Sequence, residues 1–361
     1  MKFEDVAKAF SLERKPRSTV EMSGDVPAAL ISEYRQSALT QLAQEMELPG
    51  FRKGKVPHDL ALKKLGEMGV LEEAVELFMR DFYPELVELK KLDVVGRPDI
   101  RITKMAPGNP VSLVITVATY PEVTLPKNWK ALSEKMPLEA APEATDEEVN
   151  QTVESLRQSR AKPSDIVGAD GKPLPPALPE LNDEFAKSLG AFENFDALRA
   201  QIKKGIGEEK VRAAKDARRS KIIDALLEGV TVDIPDVFVE SELEKMLSQM
   251  REDVGRFGMT FDDYLKRLGK SEADIRGEFK AQAQKRAKLQ LTLNKLAQDE
   301  KVEVEPELVE AEIKHALEHF PDANPELLGI HIQTVLRNEK VLRMLEGSSE
   351  PLTPSSHDHA H

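Results

Sequence analysis

Leu48-Pro-Gly-Phe-Arg-Lys-Gly-Lys-Val-Pro57 is the most informative stretch of the chain, because it separates two segments that read as helices. Upstream, Ile31, Tyr34, Ala38, Leu42 and Met46 recur at steps of three or four, which predicts an amphipathic helix over 26–46 that Leu48-Pro-Gly50 stops. Downstream, one helix follows Pro57, and another takes Leu71, Val75, Phe78, Phe82, Leu86 and Leu89 to a core, with Pro84 as a kink. Two glycines and two prolines between helices make a tight exposed tip. A mononucleotide loop would need four residues between its glycines and a Ser or Thr after the lysine. Here only Phe51, Arg52 and Lys53 separate Gly50 from Gly54, and Val56 follows Lys55, so no nucleotide is expected. An aromatic side chain has reason to sit on such a tip when a partner buries it. The alternative is that Phe51 folds back beneath its own loop while Arg52, Lys53 and Lys55 are merely solvated.

Working outward, Ser18 to Met22 reads as a short strand, and Ser23-Gly-Asp25 as a turn with Asp25 as N-cap ahead of Pro27. Ile100 and Ile102 alternate with Asp99, Arg101 and Thr103; Val111 to Tyr120 is rich in β-branched residues; Pro107-Gly-Asn-Pro110 turns between them. Residues 1–135 are therefore expected to form an α+β domain whose sheet draws strands from both ends of the segment. Residues 136–190 read as a connector: Thr145-Asp-Glu-Glu148 is a capping box opening a helix to Arg160, and Lys162 to Pro179 holds five prolines and two glycines. Residues 191–347 are mainly helical. Val239, Leu243, Met246, Met250, Val254 and Phe257 form one stripe ended by Gly258, followed by capping signals at Thr260 and Ser271 and a stop at Gly269. Helices are expected over 272–300, from Pro306 to His319, and from beyond Pro325 through Leu345. Residues 348–361 read as a disordered tail.

Composition bounds the function. A chain of 361 residues suggests two or three domains, and 40% apolar, 32% charged and only 5% aromatic residues suit a helix-rich soluble protein. A net charge of −13 excludes a globally basic nucleic-acid-wrapping surface but not a local basic patch. The absence of cysteine removes disulfides, thiolate metal sites and cysteine nucleophiles. No stretch approaches the ~20 apolar residues of a membrane span and the N-terminus has no secretory pattern, so no membrane partner and a cytoplasmic location are expected. No cofactor or resident metal is expected either. The enzyme alternative is His315-Ala-Leu-Glu-His319, where two histidines one turn apart could hold zinc with Glu318 as general base, as in inverted metalloproteases. A third ligand would have to come from the short remainder of the chain, and the segment reads more simply as a solvated amphipathic helix. Residues 199–221 carry nine basic side chains against three acidic, a face for RNA or a solvated helix. His357, His359 and His361 in the tail carry no site assignment.

The Gly-Phe-Arg-x-Gly-Lys-x-Pro tip closely resembles the signature of the bacterial trigger factor family of ribosome-associated chaperones. The resemblance continues through residues 17–130, ending at Ala118-Thr-Tyr-Pro-Glu-Val-Thr-Leu-Pro126, which look like the ribosome-binding domain. Leu178-Pro-Glu-Leu-Asn-Asp-Glu-Phe185, Phe192-Glu-Asn-Phe-Asp-Ala-Leu-Arg199, Met259-Thr-Phe-Asp-Asp-Tyr-Leu265 and the run from Lys295 to Ile313 look like parts of the helical C-terminal domain. The resemblance implies an ATP-independent chaperone that binds nascent polypeptides at the tunnel exit. It also implies ribosome docking, on large-subunit protein and RNA, through Gly50, Phe51, Arg52, Lys53, Gly54 and Lys55, and weak self-association off the ribosome. A ribosome-independent holdase or assembly chaperone is the competing reading. Family members usually carry an immunophilin-type prolyl isomerase domain between the two parts. Here the corresponding place holds only the proline-rich stretch, without an aromatic residue from Ala161 to Glu184, so no isomerase activity is expected.

Overall fold

The computed structural model describes residues 2–49, 51, 52, 54–161 and 178–348. Gly50, Lys53, nearly all of the proline-rich stretch, the tail and its three histidines lie outside the described residues. In chain order the elements are α1 (Phe3–Ala9), β1 (Ser11–Lys15), β2 (Thr19–Val26), α2 (Ala28–Glu45), α3 (His58–Leu89), β3 (Val94–Lys104), β4 (Val111–Thr119), α4 (Leu132–Lys135), α5 (Asp146–Ser159), α6 (Asp183–Leu189), α7 (Phe195–Gly229), α8 (Asp236–Arg256), α9 (Phe261–Leu268), α10 (Glu272–Asp299), α11 (Pro306–His319) and α12 (Pro325–Leu345). The mixed N-terminal segment and helical remainder match the expected fold class. The contacts, however, group into two compact units that interleave along the chain. One joins residues 1–125 to 230–295, and the other joins 126–229 to 296–361, where sequence order alone suggested divisions at 135 and 190.

In the first unit an antiparallel sheet of order β1-β2-β4-β3 draws strands from both ends of the N-terminal segment, as expected. Along β4 every second residue, Val111, Leu113, Ile115 and Val117, is buried, and β2 places Val20, Met22 and Val26 opposite them. That shared face packs with the apolar residues of α1, α2 and α3 in one core. Within it Phe78 and Phe82 stack at 4.9 Å and Phe3 meets both edge-on.

Two local expectations are corrected. Ser23-Gly24-Asp25 is not a turn: β2 runs through it, with Gly24 opposite Leu113. Gly24 is required by close packing, since a Cβ there would sit 2.5 Å from the Phe10 ring. Asp25 does not cap α2; it accepts a 2.5 Å hydrogen bond from Ser112 Oγ, and Pro27 occupies the cap without a side-chain bond. The actual turn lies at Arg17 and Ser18, both at positive φ, leading back from β1. The two helices expected after Pro57 form one element broken at Gly66 (φ 76°, ψ 166°), while Pro84 keeps helical dihedrals.

The second stretch of this unit is held to the sheet by polar contacts. Thr124 and Thr231 exchange backbone hydrogen bonds of 2.9 and 3.1 Å. The Arg17 guanidinium donates to Asp236 at 2.7 Å, and Ser18 donates its amide and hydroxyl to Asp233 at 3.0 and 2.7 Å. Val239, Leu243 and Met246 of α8 then pack on Ala283 and Ala287 of α10, as the apolar stripe requires. Thr260 and Ser271 accept from the amides of Asp263 and Asp274, and Gly269 closes α9 in the left-handed region.

The second unit is helical. Thr145 and Glu148 form the expected reciprocal capping box. Several cations of the 199–221 face, on α7, contact groups of their own unit, while Lys204, Arg212, Lys215 and Lys221 stay exposed. Arg199 donates to Asn150, Lys203 pairs with Asp146, Lys210 with Glu148, and Arg218 donates to the carbonyls of Met136, Ser133 and Glu346. Lys210 and the Thr145 amide together hold the Glu148 carboxyl below its usual range. Among the described residues no helix is long and apolar enough to cross a membrane.

Candidate functional site

The 48–57 loop is anchored at both flanks. Leu48 packs on the core of the first unit and Val56 is buried in it, so the residues between must bulge away from a fixed base. Two successive tight turns shape the bulge: the Phe51 amide donates to Leu48 O, and the Lys55 amide to Arg52 O, each at 3.0 Å. Gly54 supplies the positive φ of 77° that the second turn needs. Phe51 itself is 42% exposed rather than folded beneath the loop. Arg52 and Lys55 are exposed beside it. Gly50 and Lys53, the other two residues assigned here from sequence, lie outside the described residues.

The two helices that flank the loop are also tied to one another by surface contacts. Arg35 of α2 grips Glu67 of α3 with bonds of 2.7 and 3.0 Å, and Gln36 contacts His58 Nδ1 at 3.3 Å. The Tyr34 hydroxyl donates to Asp81 at 3.0 Å, and burial together with that carboxylate pushes its phenol up to about 12, so it stays neutral and keeps the bond.

A second feature escaped the sequence reading. α8, α9 and α10 leave an apolar pocket of about 510 Å³ lined by Met246, Met250, Val254, Phe257, Met259 and Phe279. Phe257, read from its spacing as the last member of a core stripe, is 87% exposed. It sits just past the end of α8, at Gly258, where the helical period no longer dictates its direction. Three methionines and a free aromatic ring make an adaptable apolar surface.

His315 and His319 do share a face of α11, with rings 5.1 Å apart, but among the described residues no group of three side chains gathers that could hold a metal ion.

Comparison with known proteins agrees with this geometry. The family description "Bacterial trigger factor protein (TF)" matches residues 9–156, and its C-terminal counterpart matches 194–346. Trigger factors of Shouchella clausii (23% identical, covering 95% of this chain and 99% of theirs), Anoxybacillus flavithermus (25%, 91% and 92%) and Caldanaerobacter subterraneus (26%, 86% and 89%) are similar along nearly their whole length. A solved trigger factor chaperone, studied for promiscuous substrate recognition in folding and assembly, superposes with a TM-score of 0.53 at 21% identity. It covers 94% of this chain and all of its own. The two family matches thus place the chain in the folding-chaperone class. Within that class, the chain belongs to the bacterial trigger factor family. The Shouchella alignment spans 433 positions against 361 residues here, so that relative carries residues with no counterpart in this chain.

Proposed function

We propose that this chaperone docks on the ribosome through the 50–55 tip and shelters nascent chains at the tunnel exit, in the cytoplasm. The observation that carries the reading is Phe51, held exposed beside Arg52 and Lys55 on a loop whose two flanks are fixed in the core. Ribosomal RNA offers an anionic field for the cations, and a niche on a neighbouring protein would bury the ring. The chain's charge of −13 does not oppose this, because fields beyond the Debye length of about 8 Å are screened and the tip acts locally. Clients would bind weakly to adaptable apolar surface such as the Met246–Met259 pocket and leave when they bury their own apolar side chains.

The test is co-sedimentation. The Phe51→Ala, Arg52→Ala, Lys53→Ala variant is expected to pellet with ribosomes at least tenfold less than wild type, and wild-type pelleting is expected to fall with added salt. Equal pelleting of the two proteins defeats the assignment. A second reading, a holdase independent of ribosomes, would use the same pocket; under it the same variant suppresses client aggregation fully and wild type does not pellet.

The chain also contributes no prolyl isomerase activity on this reading. The two family matches leave only residues 157–193 between them, whereas a compact isomerase domain needs roughly a hundred residues. Catalytic amounts are expected to leave the slow phase of a proline-limited refolding reaction unchanged; acceleration of that phase contradicts the proposal.

A further inference from the structure

β3 is the outermost strand of the sheet, paired only with β4 among the described residues. Its register places Ile100 opposite Ile115 and Ile102 opposite Leu113, both fully buried, so the core face of the sheet continues onto β3. The helix does not follow it there. Ile100 and Ile102 remain 37% and 38% exposed, and a groove of about 420 Å³ opens between them and Val75, Met79, Tyr83 and Pro84 of α3. Near its start β3 is approached by α8, since a Cβ on Gly96 would meet Val237 at 3.1 Å, but residues 99–104 are exposed throughout.

We propose that this groove and strand edge form a second client site, which takes an extended polypeptide as a transient fifth strand with its alternate apolar side chains in the groove. The proposal rests on the chaperone reading for the nature of the occupant and on three observations for its form. An outer strand presents unpaired amides and carbonyls that another extended backbone complements. Ile100 and Ile102, two residues apart on one face, match the spacing of alternate side chains along such a strand. Register shifts between Val95 and Asp99 and between Ile102 and Lys104 confine the regular edge to a few residues, which suits brief exchange rather than permanent pairing.

The experiment uses the full chain with labelled isoleucine and methionine methyls, and a fluorescein-labelled nine-residue peptide of alternating valine and threonine as probe. The peptide is expected to shift the Ile100, Ile102 and Met79 methyl signals. Ile100→Lys with Ile102→Lys is expected to weaken peptide affinity about tenfold in a protein that stays folded by circular dichroism, because the lysine stems still cover the strand while their charges reach solvent. Unchanged affinity in the double variant overturns the site, as do shifts confined to Met246, Met250 and Met259. Concentration-dependent Ile100 and Ile102 shifts without peptide also overturn it, by making a second copy of the chain the occupant. Ribosome pelleting of the double variant, expected at wild-type level, separates failure of this site from failure of the docking proposal.

Discussion

Phe82→Ala is expected to destabilise the first unit by about 3–5 kcal/mol, the usual cost of emptying a buried aromatic site. Phe82 is fully buried and lies at the junction of three rings: Phe78 at 4.9 Å, Phe10 at 5.5 Å and Phe3 at 5.7 Å. Its neighbours cannot collapse readily into the gap. Phe10 also packs over Gly24, so a shift of its ring moves β2, and Phe78 is braced by Tyr34 at 5.8 Å. Truncation therefore removes transfer energy and leaves a cavity. Urea unfolding followed by circular dichroism should show the midpoint of this unit fall sharply. Because α3 also carries the docking loop at its N-terminal end, ribosome pelleting should fall in parallel with the folded fraction and no further. An unchanged midpoint, or lost pelleting in the fully folded variant, is incompatible with this account.

Periodicity and capping chemistry made most of the helical architecture legible. Helices α2, α5, α8, α9, α10, α11 and α12 lie where apolar spacing and residues such as Thr145, Thr260, Ser271 and Gly269 place them. What was not legible depended on partners distant in sequence. β1 is almost wholly exposed, so Ser11-Leu-Glu-Arg-Lys15 carries no alternation to read. Gly24 is a glycine because Phe10 approaches it, and that cannot be distinguished from a turn glycine without the fold. The interleaving of the units rests on contacts such as those of Arg17 and Ser18 with Asp236 and Asp233, more than two hundred residues away. For the site, the tip's composition was enough to single out Phe51 and its cations, because glycine and proline at both ends signal a bulge whatever the surroundings. The exposure of Phe257 and of the Ile100 and Ile102 pair was hidden: an apolar residue at helical or strand spacing reads as core until the facing element is seen to stop short.

Arg219→Met is expected to cost the second unit about 3 kcal/mol, the lower end for breaking a buried ion pair, since the side chains involved keep up to 30% exposure. Arg219 of α7 holds Glu339 of α12 in a bidentate pair at 2.9 and 3.0 Å and also bonds Glu346, while Arg343 donates to Glu339 at 3.0 Å. Methionine keeps the stem's volume but leaves two carboxylates facing one another with less compensation. The pH dependence identifies the cause. Burial alone would raise the Glu339 carboxyl, but the hydrogen bonds from Arg219 and Arg343 outweigh it and hold it below its ordinary value of 4.5. A carboxyl depressed in the folded state contributes its stability in full above the unfolded value and loses it as pH falls through the folded one. Wild type should therefore lose this contribution on acidification below about pH 4.5. The variant has less of it to lose, and protonation also relieves its carboxylate repulsion. The gap in urea midpoint between the two proteins should be wide at pH 7 and narrow toward pH 4. A gap of constant width would assign the loss to packing of the arginine stem, and no gap at pH 7 would show that the cluster does not hold α7 to α12.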